Sequence, residues 1–313
     1  MNPFGLPDHQ IAAFARPVLE YLPAGFDAEE AEQAEIDDVG SLATLASPDV
    51  VAARIARLGV NVSTENMTER LLETSDERTV VAGLRYRNLD PDFPFVAVKT
   101  SARVNGPSAV DALAAQVSEA YRGVGVRGFT FWEQPGLDLL AAERWATCMA
   151  GSLSAASRAD GRDLPGFLTI SWPEAATEVF ADYRHEHQAW RSGARDLAPF
   201  VSESAPEGLQ EAADRGLLMS LRDDQGFAGL AAATISPLFG RRALCMLDIF
   251  LTKRLRGRGL AAAVQSSFLA GQRSGADTVW GHIHAKNQSS MRTAQKLDRR
   301  AVQQEYFVSL SAH

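Results

Sequence analysis

Cysteine is scarce in this sequence, and so are long apolar runs and excess positive charge. The 313 residues include two cysteines, Cys148 and Cys245, which lie far apart without Cys-x-x-Cys spacing. Such usage predicts neither a disulfide framework nor a zinc site. The formal net charge is −8, whereas a nucleic-acid-binding surface needs a basic field. We therefore expect no metal ion and no nucleic-acid partner.

Membrane attachment and export are also not expected. No apolar run reaches the roughly 18 residues of a membrane span, and the segment MNPFGLPDHQ has no basic region ahead of an apolar core. These features predict a cytoplasmic protein with no membrane partner. A content of 46% hydrophobic and 22% charged residues is typical of a folded globular protein, and the length accommodates two domains of about 150 residues.

The predicted elements occur in the same order in both halves of the chain. The first half shows two β-rich runs in RTVVAGLRYRNLDPDFPFVAVKT, then the helix SAVDALAAQVSEAYRG and the strand GFTFW. The second half shows GLLMSLRD and FAGLAAATI, an apolar strand over 243–252, a helix from Leu260 and the strand TVWGHIH. This order favours an internal duplication.

Residue spacing supports the duplication. Three residues of the first half lie 153 positions before three of the second, namely Arg103, Gly106 and Gln134 before Arg256, Gly259 and Asn287. Between the halves, the segment SRADGRDLPG (157–166) is rich in residues that interrupt regular structure. We take it as a linker and predict two domains, 1–162 and 163–313.

The stretch RLRGRGLAAAV (254–264) combines dense positive charge with two glycines between a predicted strand and helix. Glycine at 257 and 259 lets backbone N–H groups close on an anion, and the dipole of the helix from Leu260 favours negative charge. Four cations within residues 253–258 repel one another unless an anion compensates them. The alternative is a basic turn with no ligand.

Two common nucleotide loops fit this stretch poorly. A Walker loop requires Gly-Lys-Ser/Thr after its glycines, and that sequence is absent here. Gly257-Arg-Gly259-Leu-Ala-Ala262 does satisfy the G-x-G-x-x-A dinucleotide pattern. However, Asp277, the acidic residue about 20 positions on, precedes the next predicted strand, whereas a ribose-binding carboxylate follows it.

The same residues fit a third pattern, since Arg256-Gly-Arg-Gly259-Leu-Ala261 matches [Q/R]-x-x-G-x-[G/A]. With the strands 244–252 and 278–284 on either side, and Asn287 and Ser290 opening the next helix, the sequence resembles the GNAT acetyltransferase superfamily. The resemblance covers about residues 165–313 well and 60–150 faintly. It implies an α/β fold of two GNAT-like modules, each a mixed, mostly antiparallel central sheet flanked by helices, with a degenerate N-terminal module.

The resemblance also implies an acyl-CoA site around the glycine stretch. Phe250 and Leu251 lie where the family's strand splays from its neighbour and pairs with the pantetheine arm. Asn287 resembles an amide ligand for that arm, and capping of its own helix is an alternative that is compatible with this role. The residues assigned to the cofactor are Phe250, Leu251, Arg256, Gly257, Arg258, Gly259, Leu260, Ala261, Asn287 and Ser290.

Three residues are candidate bases. Asp248 is the one charge within LCMLDIFLT, and many family members carry an acidic residue near this point. His282 and His284 alternate on GHIH and should face one side of the strand. A structural, hydrogen-bonded role is the alternative for each. The tyrosine that usually reprotonates the CoA thiolate is replaced by Ala294, which leaves water or another residue such as Tyr306 as the acid.

Two other segments bear on the site. The helix DYRHEHQAW (182–190) is either a wall of the acceptor pocket or an exposed helix with Trp190 facing inward. In the first half, RVNGPS places Arg103 and Gly106 at loop positions, but Pro107 has no N–H to donate. We expect weak or no CoA binding there; a second working site is the alternative.

The sequence therefore predicts an acyl-CoA-dependent N-acyltransferase that transfers acetyl from acetyl-CoA to a primary amine of a small molecule or peptide. Attack would be direct, with backbone N–H near Leu251 polarising the carbonyl, because Cys245 lies inside a strand and is a poor nucleophile. Two alternatives remain: a catalytically impaired CoA-binding sensor, and an enzyme that acts on the acyl-CoA itself, as a decarboxylase does. A monomer or homodimer is expected.

Overall fold

The computed structural model describes residues 4–139, 142–161, 163–272 and 274–310. The chain folds as two compact units. Unit 1 comprises Met1–Thr147, Phe239–Arg241 and Val302–His313, and unit 2 comprises Cys148–Leu238 and Arg242–Ala301. Each unit contains a mixed sheet flanked by helices, which confirms the predicted α/β class.

These units do not follow the boundary predicted at residue 162. Unit 1 includes the strand near the end of the chain, and unit 2 begins inside a strand of the first half. Arg162, in the predicted linker, lies outside the described residues. The division into modules 1–162 and 163–313 therefore stays a prediction.

Unit 1 is built from helices that precede and interrupt its strands. Its helices are α1 (Asp8–Ala12), α2 (Arg16–Leu19), α3 (Ala28–Thr44), α4 (Pro48–Leu58), α5 (Thr64–Met67) and α6 (Pro107–Ala120). The N-terminus of α3 is fixed by Asp27, whose carboxylate accepts the N–H groups of Glu29 and Glu30. Helix α6 begins with Pro107, whose missing N–H costs nothing at this position.

The sheet of unit 1 is mostly antiparallel. Its strands are β1 (Arg70–Glu73), β2 (Thr79–Tyr86), β3 (Pro94–Thr100), β4 (Gly128–Glu133), the first part of β5 (Ala142–Ser152) and most of β11 (Arg300–Ser309). Strands β1, β2 and β3 pair in antiparallel order, and β4 pairs antiparallel with β11. Between them, β3 and β4 pair in parallel at Val96↔Phe129 and Ala97↔Thr130.

Unit 2 repeats this plan. Its helices are α7 (Leu153–Ala156), α8 (Thr177–Gly193), α9 (Pro206–Asp214), α10 (Leu260–Ala270) and α11 (Gln288–Lys296). Its strands are the end of β5, β6 (Thr169–Ser171), β7 (Leu218–Asp223), β8 (Gly226–Ile235), β9 (Ala243–Leu251) and β10 (Thr278–His284). Strands β6 to β9 form an antiparallel meander, and β10 pairs in parallel with β9.

The core of unit 2 forms between the sheet and its helices. Fully buried side chains come from helices α9 and α10 and from strands β7 to β9, among them Leu209, Leu218, Leu230, Leu244, Val264 and Phe268. Burial of each such side chain contributes roughly 1.5–3 kcal/mol. This packing fixes the strand ends and the loops that follow them.

The two units match at the glycine stretch. Helix α6 begins at Pro107 and helix α10 at Leu260, which lies 153 positions later. In each unit the helix follows a strand that pairs only briefly, in parallel, with the strand after the helix. The order of elements predicted from the sequence is thus present in both units.

Among the described residues, no helix is both long and apolar enough to cross a bilayer.

Candidate active site

The site predicted from the sequence lies where β9 and β10 part. The two strands pair in parallel at Ala243↔Thr278, Leu244↔Val279 and Cys245↔Trp280. Over the described part of both strands, no paired register extends beyond Cys245 and Trp280. The remaining residues of β9, up to Leu251, therefore border a gap on the side of β10, and this gap is closed at Cys245 and open at Leu251.

A bulge in β9 determines which side chains face each side. The pairing with β8 shifts from Ala233↔Met246 to Ala232↔Asp248, so Leu247 is an extra residue in β9. Because Cys245 pairs with Thr234, two residues from Ala232, the side chains of Cys245 and Asp248 share a face of the sheet.

All three candidate bases lie on this same face. Cys245 pairs in parallel with Trp280, so Trp280 lies on the face of Asp248. His282 and His284 follow Trp280 at alternate positions and share that face as well, as the sequence predicted for the two histidines. The opposite face at this point carries Met246 and the Cα hydrogen of Gly281.

Asp248 is held by helix α8 and the segment that follows it. The Tyr183 hydroxyl donates to Asp248 Oδ2 at 2.6 Å, and the Ser204 hydroxyl lies 3.4 Å from the same oxygen. The backbone N–H of Ser204 donates to the Tyr183 hydroxyl at 2.8 Å. Burial raises the pKa of Asp248 to about 6, against the effect of these hydrogen bonds and of the Ile249 N–H. Asp248 is thus mostly ionised at neutral pH.

The two histidines differ in their surroundings. His282 is exposed, and its ring meets Trp280 edge-on with centroids 5.1 Å apart. His284 is partly buried, accepts the Lys286 N–H at Nδ1 over 3.2 Å, and stacks on Phe200 at 4.1 Å. The segment that carries Phe200 also carries Ser204, so one stretch of chain contacts both His284 and Asp248.

The end of β9 presents its backbone to the gap. Thr252 N–H donates to the Ala228 carbonyl at 3.0 Å. In an antiparallel ladder the bonding direction alternates, so the N–H and C=O of Leu251 point toward the side of β10. The Leu251 carbonyl accepts from Arg256 Nε at 2.6 Å.

The glycine stretch has the backbone conformation expected of an anion loop. Gly257 and Gly259 have φ of 75° and 73°, in the left-handed region that other residues adopt at a cost. Both are exposed, as is Arg258. Helix α10 begins at Leu260, and the glycine at its N-cap supplies no side-chain oxygen to the first N–H groups. Leu260 and Ala261 pack partly against the core of unit 2.

The arginines of the stretch have separate tasks. Arg254 forms a bidentate ion pair with Asp223, at 2.7 and 2.8 Å, and this pair holds the Arg254 side chain at the β7–β8 turn. Besides donating to Leu251, Arg256 lies over the rings of Phe250 and Trp190, at 4.8 and 5.6 Å. Arg256 therefore braces the end of β9, and Arg258 and Lys253 are the cations exposed on the loop.

Asn287 acts as a helix cap. Its Oδ1 accepts the Ser290 N–H at 3.2 Å at the start of α11, the alternative left open by the sequence. Further along, Ala294 is buried with Met149 and Ile283, and the partly buried Met291 packs against them, so the place of the usual tyrosine is an apolar cluster. Tyr306 lies in the core of unit 1, where its hydroxyl donates to the Leu137 carbonyl, and is not among the site residues of unit 2.

The equivalent loop of unit 1 is filled by a protein carboxylate. Glu133, 1% exposed, lies 3.1 Å from Arg103 Nη2 and accepts the N–H groups of Val104 and Gln134 at 3.0 Å. Val104 stands 153 positions before Gly257. Glu133 thus pairs with Arg103 and with two backbone N–H groups at this loop.

The sequence did not identify Tyr183 and Ser204 as partners of Asp248. It also did not identify the neighbouring His187 as a buried residue of this site. Tyr183 and His187 are four residues apart in α8 and are both buried. Burial lowers the pKa of His187 to about 4, so this histidine is neutral at pH 7. The i, i+4 spacing of DYRHEHQAW was the available signal, but no signal points to Ser204.

No group of three or more histidine, cysteine, aspartate or glutamate side chains suited to a metal ion occurs among the described residues.

Comparisons with known proteins return structures but no sequence relatives. No family model and no curated protein matches this sequence. A tandem GNAT protein from the clavulanic acid biosynthesis pathway is 14% identical, over 98% of this chain and 96% of its own, with a TM-score of 0.48. A GCN5-related N-acetyltransferase from Sphaerobacter thermophilus is 14% identical, over 83% and 89%, with a TM-score of 0.46. L-PGS from Bacillus licheniformis is 13% identical, over 86% and 93%, with a TM-score of 0.41.

Solved structures similar to this chain thus include GNAT acetyltransferases, one of them with tandem modules. Identities and scores at this level leave the function to be argued from the site residues themselves.

Proposed function

We propose that this protein is an acyl-CoA-dependent N-acyltransferase whose active site lies in unit 2. The thioester would lie in the gap between β9 and β10, with its diphosphate on the loop 253–259 and its acyl group toward the closed end of the gap. The acceptor would be a primary amine of a small molecule or peptide. Acetyl is the acyl group implied by the family resemblance, so acetyl-CoA is the first thioester to test.

One observation carries the proposal: the gap opens at the residues that lead into the left-handed glycine loop. Pairing of β9 with β10 stops at Cys245↔Trp280, and β9 runs on to the loop where Gly257 and Gly259 precede the uncapped start of α10. A strand edge without a paired neighbour suits an extended amide-bearing arm. A helix N-terminus without a side-chain cap suits a diphosphate.

Asp248 is the proposed base. It shares a face with His282 and His284, and its pKa of about 6 leaves it ionised at neutral pH. An amine that approaches on this face would lose a proton to Asp248, directly or through water, as it attacks the thioester carbonyl. Backbone N–H groups on the gap side of β9 would polarise that carbonyl.

No tyrosine replaces the missing acid at Ala294. A thiol pKa near 8.5 makes the thiolate a tolerable leaving group, so water would reprotonate it. The proposal therefore predicts that catalysis depends on one ionisable side chain, with the pKa of Asp248.

The test is the release of free thiol from acetyl-CoA in the presence of a panel of primary amines. Amine-dependent release that is lost in Asp248→Asn supports the proposal. The control is Asp224→Asn, which changes an exposed carboxylate on the β7–β8 turn. Release without amine would favour an enzyme that acts on the acyl-CoA itself. Binding without turnover under any condition would favour a CoA sensor.

A further inference from the structure

Arg299 is a buried cation of unit 2 that has no counter-charge. It lies three positions after Lys296, the last residue of α11, and is 4% exposed. Its Nε and Nη1 atoms are enclosed and have no hydrogen-bond partner, and no ion pair involves its guanidinium among the described residues. Burial lowers the pKa of Arg299 to about 10, which still leaves it charged at neutral pH. An uncompensated buried charge costs several kcal/mol, so an anionic ligand is the natural explanation.

The guanidinium lies at the closed end of the gap between β9 and β10. A Cβ built on Gly281 would lie 3.9 Å from Arg299 Nη2 and 3.4 Å from the Cβ of Met246. Gly281 and Met246 are the first residues after the last paired positions, Trp280 and Cys245. Glycine at 281 thus leaves the position of a β-carbon open beside Arg299 Nη2 and Met246, next to the point where the strands part.

The backbone directs Arg299 to this place. The Arg299 N–H donates to the Ala294 carbonyl at 3.1 Å. A Cβ on Gly151 would lie 2.7 Å from the carbonyl oxygen of Asp298 and 3.3 Å from Arg299 Cγ, so only glycine lets the chain pass so near β5. Asp298 itself adopts φ of 54°. The path of the backbone at Asp298 and Arg299 therefore directs the Arg299 side chain into the interior of unit 2.

Among the residues that the structure describes, no neighbouring side chain supplies a negative charge to Arg299. The titratable side chains whose charge would affect the pKa of Arg299 are Cys148 and Cys245. Burial raises the pKa of Cys148 to about 12 and that of Cys245 to about 11. Both are neutral thiols at pH 7, so neither of them supplies a negative charge to Arg299.

Neither the diphosphate of CoA nor the acceptor would lie where it could pair with the Arg299 guanidinium. Met246 lies five positions along β9, or roughly 15 Å, from Leu251, the last residue of the strand before the loop 253–259. The candidate bases lie on one face of the sheet, whereas Gly281 directs its missing side chain to the other. An acceptor that reaches Asp248 thus approaches from the side away from Arg299.

We propose that Arg299 binds a carboxylate at the far end of the acyl group, so that the preferred thioester is that of a dicarboxylic acid. This proposal rests on the function proposed for unit 2. The guanidinium fork matches a carboxylate in two parallel hydrogen bonds. No bond of the acyl group is made or broken at Arg299; the contact only selects the chain and directs it into the closed end.

Succinyl-CoA and butyryl-CoA provide a matched test, because both carry four acyl carbons and only one ends in a carboxylate. Calorimetric titration without amine should show the intact protein binding succinyl-CoA more tightly than butyryl-CoA by about tenfold or more, the value of a hydrogen-bonded charge. Arg299→Met should abolish or reverse this preference while leaving the affinity for CoA unchanged. The melting temperature of this variant should not fall, because an uncompensated charge is removed.

Each other outcome counts against the proposal. Equal affinity for the two thioesters, or the same preference in Arg299→Met, would overturn this proposal. If the protein still binds CoA, the function proposed for unit 2 would stand. An Arg299→Met variant that loses turnover equally with every thioester would instead assign Arg299 to the leaving thiolate and would also overturn the proposal. Failure of the intact protein to bind CoA in any form would overturn both.

Discussion

Tyr183 and Asp248 are joined by a hydrogen bond of 2.6 Å that links helix α8 to the middle of β9. The phenol is itself fixed by the Ser204 N–H, so the donor cannot turn away from the carboxylate without losing a second bond. Burial raises the pKa of Asp248, and the Tyr183 hydroxyl opposes that rise. Tyr183 is therefore a positioning residue that sets the pH range in which Asp248 is ionised.

Replacement of this phenol should move the pH dependence of turnover. Tyr183→Phe removes the donor, so the pKa of Asp248 should rise above about 6. The acidic limb of kcat/KM should then shift to higher pH, with little change in CoA affinity. Tyr306→Phe is the matched control, because it removes a buried hydroxyl in unit 1. If the acidic limb does not shift in Tyr183→Phe, the Tyr183 hydroxyl does not set the pKa of the base, Asp248.

Asp248 should lower the stability of the folded protein at neutral pH. Its pKa is about 6 when folded and 3.8 otherwise, so the folded state holds the proton more tightly and stability falls as pH rises through this window. Asp248→Asn removes that effect, with a gain of up to about 3 kcal/mol at pH 7.5 and of less than about 1 kcal/mol at pH 4.

Urea unfolding of the wild type and Asp248→Asn at both pH values measures this difference. A variant that is more stable at pH 7.5 and inactive is the signature of a carboxylate kept for chemistry at the expense of stability. A variant that is less stable at pH 7.5 would identify Asp248 as a structural residue held by Tyr183 and Ser204.

Gly257 should matter for CoA and not for the fold. Gly257→Ala places a methyl group on an exposed loop residue with φ of 75° and no atom within 4 Å. Gly216, after α9, is also exposed, with φ of 65° and equally open surroundings, so Gly216→Ala imposes the same backbone strain elsewhere. Only Gly257→Ala should weaken CoA binding, by about tenfold for one lost contact to a charged oxygen. Equal affinity in the two variants would remove the glycine stretch from the binding site.

Local patterns predicted the larger part of the fold. The spacing of 153 residues between Arg103 and Arg256 identified two copies of one plan, and α6 and α10 begin at matching positions. Alternation on GHIH placed His282 and His284 on one face, because strand geometry fixes that relation within a single element. The glycines of the loop are left-handed, as residues without Cβ between a strand and a helix often are.

Relations between distant segments were not accessible in the same way. Nothing in β9 specifies that Tyr183 and Ser204, 65 and 44 residues earlier, would contact Asp248. The sequence assigned Arg256 to the cofactor, but it did not indicate the contacts of Arg256 with the Leu251 carbonyl and with two aromatic rings. Membership of the last strand in unit 1 also depends on long-range pairing between β11 and β4, which no short-range pattern encodes.

Calorimetric titration of the intact chain with CoA is the measurement that tests the central claim most directly. Unit 2 offers the open glycine loop, whereas Glu133 occupies the equivalent loop of unit 1 with ion-pair and hydrogen-bond contacts of 3.0–3.1 Å. The predicted result is one molecule of CoA per chain, with binding weakened in Gly257→Ala. The absence of any binding heat, or a stoichiometry of two per chain, would contradict the account.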